Sequence, residues 1–175
     1  MKDLIKDIEG RFETSDFIQK NEHLAFVTIE KEQAIALVTY LRDYRKYTSL
    51  VLLTAVDWLE DGVFQLTYLL ANPTDRTEIG VRVMIDRENA TMESAHHLWE
   101  NMETYQRELR EMFGIDFPGS PRVNDNFILE GWDDLPPYRR DFDTKKYAEE
   151  TYFPRPGRQT NDPATYMKSK MYPNE

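Results

Sequence analysis

The 175 residues carry 22 Lys and Arg against 32 Asp and Glu, a net charge of −10, and they contain no cysteine. An apolar fraction of 40% can fill a real core, so disorder throughout is excluded. Disulfides, thiolate nucleophiles, cysteine-ligated zinc and iron–sulfur clusters are excluded together, and the acidic balance speaks against unaided nucleic-acid binding. No run of 18 apolar residues is present, so no membrane-spanning helix is expected. The opening Met1–Asp7 stretch holds acids and no apolar stretch, and is not expected to act as a secretory leader.

The charge is unevenly placed. Residues 1–131 hold 14 basic and 24 acidic side chains, whereas 132–175 hold 8 of each. The latter also carries six of the nine prolines and five of the ten tyrosines. The composition therefore predicts a compact acidic body, 1–131, followed by a long extended arm, 132–175.

Along the body, Leu4, Ile5 and Ile8 mark a short helix that stops near Gly10. Two β-like runs follow, around Phe17-Ile18 and from His23 to Ile29, the second with Ala25, Val27 and Ile29 on one side. Residues 31–44 switch to helical spacing through Ala34, Leu37, Val38 and Leu41. Leu50 to Val56 is apolar on both faces, as a central strand would be. After the Asp61-Gly62 turn, Phe64, Leu66, Tyr68 and Leu70 alternate with other residues, and Ile79, Val81, Val83 and Ile85 do the same. These two runs predict an antiparallel hairpin. From Thr91 the spacing is helical again, through Leu98, Met102, Tyr105, Leu109 and Met112, until Gly114 closes it. The expected fold is a two-layer α+β domain of order α-β-β-α-β-β-β, then a C-terminal helix, with a mostly antiparallel sheet and the helices on one face.

Little in the chain points to chemistry of its own. The seven glycines are scattered singly, without a phosphate-cradling loop. His23, His96 and His97 are too few and too badly spaced for a metal site, and are expected at the surface or at a helix start. Acid pairs such as Glu60-Asp61 and Asp133-Asp134 read as solvated surface, and no serine sits in a nucleophile elbow. Glu103, Arg107 and Glu111 follow at i+4 and predict a solvated ladder of ion pairs. Glu108 lies beside the apolar stripe and is expected to pair with a buried arginine or a backbone N–H. Pro136-Pro137-Tyr138-Arg139-Arg140-Asp141-Phe142 should be extended, poor at packing on its own domain, and able to present two arginine forks to carboxylates.

Trp99 to Phe142 resembles the 30-kilodalton subunit, also called the C subunit, of respiratory complex I, the NADH:quinone oxidoreductase. The family's Trp, six residues, then Glu-Arg-Glu is similar to Trp99 followed by Gln106-Arg107-Glu108, with Glu111 to Gly114 behind it. Its Phe-x-Gly-His-Pro resembles Phe117-Pro118-Gly119-Ser120-Pro121, its next Trp falls at Trp132, and its Pro-Leu-Arg-Lys-Asp-Tyr resembles Pro137 to Phe142. Gln106 replaces an acid, Ser120 a histidine, and Asn124-Asp125 a basic pair.

The resemblance implies a cofactor-free structural subunit of the peripheral arm, without catalytic residues, next to the D and B subunits of the complex. Iron–sulfur clusters and flavin would sit on partner subunits, and localisation would be peripheral, at the cytoplasmic face of the inner membrane. Partner contacts are expected from Arg107, Glu108, Trp132, Tyr138, Arg139, Arg140 and Asp141, and in the arm from Tyr152, Phe153, Arg155 and Arg158. The arm's apolar content is too low to fold alone, and its aromatic residues suit grooves on a neighbour. It is expected to hold at most short helices near 144–150 and 164–171. Two alternatives stay open: the equivalent subunit of a membrane-bound hydrogenase or formate hydrogenlyase, and a stand-alone α+β module that binds a small ligand.

Overall fold

The computed structural model describes residues 2–151 and 163–172. It forms two compact units, Met1–Arg140 and Asp141–Glu175. Residues 132–140, which the composition joins to the arm, are thus part of the body unit.

The first unit contains α1 (Lys2–Glu9), β1 (Thr14–Gln19), β2 (Leu24–Ile29), α2 (Lys31–Asp43), β3 (Ser49–Trp58), β4 (Val63–Asn72), β5 (Thr77–Asp86) and α3 (Met102–Phe113). This is the expected element order. The five strands lie in the order β1-β2-β5-β4-β3, antiparallel except for the β2–β5 pair. In register, Val27, Val81, Tyr68 and Leu53 form one row across the core face. All four are buried there with Leu37, Val38 and Leu41 of α2 and Leu109 and Met112 of α3. The alternation of Phe64 to Leu70 and of Ile79 to Ile85 decides this face, because a strand turns every second side chain the same way.

Three expectations are corrected. β3 is an edge strand, and its outward Val51 and Val56 are exposed. Part of its free edge is covered from the side. Trp99 Nε1 donates to the Thr48 carbonyl (2.8 Å), Asn101 Nδ2 to that of Leu50 (3.4 Å) and Tyr105 Oη to that of Val51 (2.9 Å). Side-chain donors here replace a sixth strand.

Secondly, α3 begins at Met102, not near Thr91. Thr91 bridges to Asp116, and the Ser94 hydroxyl accepts the His96 N–H (3.2 Å). Both contacts divert backbone groups that a helix would have used. His96 is half-buried and His97 exposed in this irregular stretch.

Thirdly, the proline-rich run packs on its own domain. The Tyr138 N–H donates to the Met112 carbonyl at the end of α3 (3.0 Å). The second unit holds α4 (Thr144–Thr151) and α5 (Pro163–Met171), where short helices were expected.

Candidate functional site

The residues carrying the family resemblance converge at the C-terminal end of α3. Gly114 ends that helix in the left-handed region, φ +79°, where a side chain would be strained. The chain then turns back beside α3 as the loop 115–131.

Arg107 and Glu111 hold that loop. Arg107 Nη2 donates to the Asn126 carbonyl (2.6 Å), and the guanidinium lies 5.8 Å from the Phe127 ring centre. Glu111 accepts three successive backbone N–H groups, from Phe127 (2.6 Å), Ile128 (2.7 Å) and Leu129 (2.8 Å). The solvated ladder is therefore corrected: these side chains act as a clamp on a segment 16 to 18 residues further along. Burial pushes the Glu111 carboxyl up, but the three N–H groups and Arg107 outweigh it and hold it below its ordinary value. Trp132 Nε1 donates to the carbonyls of Asp134 (3.0 Å) and Leu135 (3.1 Å), bending the chain. Between the loop and α3 lies a cavity of about 350 Å³, lined by Arg107, Arg110, Glu111, Val123, Trp132 and Pro136 among others.

Beside this clamp, Asp57 anchors the end of the unit. It takes Arg87 through both oxygens, 2.8 and 3.1 Å, and also accepts the Arg140 N–H at 2.8 Å. Burial raises its carboxyl, and Arg87, the Arg140 N–H and the nearby Arg139 outweigh that and bring it below the ordinary value. The Arg140 side chain pairs with Glu60. Arg139 lies over the Phe64 ring, 5.5 Å from its centre. Phe64 meets Phe113 edge-on, and Phe113 meets Tyr138 the same way.

Arg107, Trp132, Tyr138, Arg139 and Arg140 are thus brought together around the end of α3, each engaged with its own body. Tyr138 still exposes 57% of its surface, so it can both pack and face a partner. Glu108 is half-buried and its side chain makes no hydrogen bond or ion pair among the described residues, contrary to the expected pairing. Asp141 is exposed. Tyr152, Phe153, Arg155 and Arg158 lie outside the described residues. Asp57 and Arg87 escaped the reading of the sequence. Their signal was an acid at an inward position, two residues after Ala55 and four after Leu53.

Among the described residues no group of three His, Asp or Glu is placed to hold a metal ion. Among the described residues no helix is long and apolar enough to cross a membrane. The contacts tie the loop 115–131 and the 136–140 segment to α3 and to the sheet.

Comparison with known proteins agrees with the motif. Residues 27–148 match the family model described as respiratory-chain NADH dehydrogenase, 30 Kd subunit. The NADH-quinone oxidoreductase C subunit of Moorella thermoacetica is 28% identical over 147 residues, 81% of this chain and 95% of that one. The NADH-quinone oxidoreductase C/D subunit of Psychrobacter cryohalolentis is 24% identical over 86% of this chain but only 27% of its own length. Among solved structures, a chain of the membrane-bound sulfane sulfur reductase, an archaeal respiratory membrane complex, superposes with a TM-score of 0.79 at 24% identity. That match covers 86% of this chain and 90% of the other, and shows a shared fold. The chain belongs to the 30-kilodalton subunit family of respiratory-chain NADH dehydrogenase.

Proposed function

We propose that this chain is the C subunit of a proton-translocating NADH:quinone oxidoreductase, a cofactor-free member of the peripheral arm that scaffolds the quinone-reducing module. The observation that carries the reading is the use made of the family motif. Arg107, Glu111, Trp132 and the 136–140 segment spend their polar groups on holding one another and the exit of the chain. None is left poised as an acid, base or nucleophile. Such a domain contributes geometry, and electron carriers belong to its neighbours.

A D-type subunit is the proposed first partner. The Psychrobacter relative is named as both C and D, and a C-like part fills only 27% of it. Two functions joined in one chain work at short range, so separate C-type and D-type chains are proposed to touch. A B-type subunit is proposed as the second neighbour, and attachment at the cytoplasmic face of the inner membrane follows from these partners. The fold shared with the sulfane sulfur reductase chain supports a second reading, the equivalent subunit of another respiratory membrane complex.

The test joins a spectrum to an activity. The isolated chain should show no visible absorbance, iron or flavin. Membranes lacking the chain should lose NADH:quinone reductase activity and regain it when the chain is restored. Bound iron or flavin in the isolated chain would refute the scaffold reading. Unchanged NADH oxidation with loss of a different respiratory activity would favour the second one.

A further inference from the structure

The face of the sheet opposite the core has its own design. Register places Thr28, Arg82, Thr67 and Thr54 in one row across β2, β5, β4 and β3. The Arg82 guanidinium lies 4.2 Å from the centre of the Phe26 ring. That ring occupies space which only glycine leaves open, since a Cβ on Gly80 would come within 2.3 Å of it. A glycine, a phenylalanine and an arginine are thus stacked in order, and the guanidinium is held in place before anything binds.

Apart from that stack, the Arg82 side chain makes no hydrogen bond or ion pair among the described residues, and its Nε is buried without a partner. The acids on the same face, Asp16, Glu78 and Asp86, form no ion pair with it. The side chain as a whole is only half-buried, and the natural partner of its cation is a carboxylate that the chain itself does not supply here. Threonines flank the arginine in its row, and beyond them the face carries exposed apolar side chains. Val56, Trp58 and Met84 leave 43%, 41% and 42% of their surfaces in water. A fixed arginine near an exposed methionine and an exposed tryptophan combines side-chain types that are enriched at interface centres.

We propose that this face, centred on Arg82, docks a segment of a neighbouring subunit that sets an Asp or Glu carboxylate on the guanidinium. The inference rests on the chain's membership of a complex. The occupant is a protein carboxylate because a free anion would satisfy the arginine alone and leave the apolar side chains wet.

Because the chain lacks cysteine, Met84→Cys supplies a unique thiol on this face. In the purified complex that thiol should react with a polymer-linked maleimide at least about tenfold more slowly than in the isolated chain. Arg82→Gln should lower retention of the chain in the complex at high salt by about tenfold or more, with little change in the isolated chain's melting. A thiol equally reactive in complex and isolated chain would overturn the surface alone. Protection arising from a dimer of the isolated chain would overturn it in favour of a second copy. Failure to recover the chain with any other subunit would overturn complex membership, and this surface with it.

Discussion

Asp57 and Arg87 meet through two contacts of 2.8 and 3.1 Å, with only 1% and 11% of their side chains exposed. Asp57 stands near the end of edge strand β3, and Arg87 follows directly on β5, so their pairing spans β4 between them. The same carboxylate receives the Arg140 N–H, and one buried acid thus joins the sheet to the last residue of the domain.

Asp57→Asn should therefore destabilise the domain by about 3 kcal/mol, because it leaves a buried guanidinium without its counter-charge. Denaturant unfolding checks this. Arg140→Ala removes only an exposed pair with Glu60 and keeps the backbone N–H, so it should be almost neutral.

Acid should loosen the loop clamp. The Glu111 carboxyl is held below its ordinary value in the folded chain, so its contribution is complete above the unfolded carboxylate range. It is lost as pH falls through the lowered folded value. Asp57 is shifted in the same direction and adds to the same loss. Amide exchange at Phe127, Ile128 and Leu129 should accelerate on acidification, once corrected for the intrinsic pH dependence of exchange. Glu111→Ala should accelerate it already at neutral pH and cost about 1–2 kcal/mol. Exchange that stays slow in the variant would mean that the loop is held by other contacts.

Gly80→Ala should cost about 1–3 kcal/mol although alanine suits a strand no worse than glycine. The added methyl must displace the Phe26 ring, and with it the stacked Arg82. Thermal unfolding measures the cost. A neutral result would show that the ring can move freely aside.

These residues also show what the sequence could and could not reveal. The hairpin β4–β5 and helix α2 were legible because Phe64 to Leu70, Ile79 to Ile85 and Ala34 to Leu41 keep one period over their whole length. The family motif likewise marked Arg107, Trp132 and Arg139-Arg140 as residues that matter. The roles of Arg107 and Glu111 were not legible, since i+4 spacing is the same for a solvated ladder and for a clamp on a distant loop. The stretch before Met102 kept a helical apolar period, yet Asp116 and Ser94 took its backbone groups through contacts that periodicity does not record. β3 read as central because its outward side is apolar, and that side remains exposed on an edge strand. Residues 132–140 looked like the start of an arm by composition, while Asp57 and the Met112 carbonyl tie them to the body.

A chain cut after Phe142 keeps Arg140 and its anchor, so its body should melt close to the full-length value. Recovery of the cut chain in the assembled complex should fall, because the arm's aromatic residues are proposed to lie on a partner. A native gel reads this directly. Assembly at the full-length level would leave the arm without a docking role.

The proposed work of this domain is to hold a D-type subunit. That is tested most directly by purifying the tagged chain from detergent-solubilised membranes and identifying what stays bound. Stoichiometric recovery of a D-type subunit is predicted, with iron–sulfur subunits accompanying it and NADH:quinone reductase activity in the same fraction. Recovery of the chain alone, with the D-type subunit fully assembled elsewhere, would contradict it.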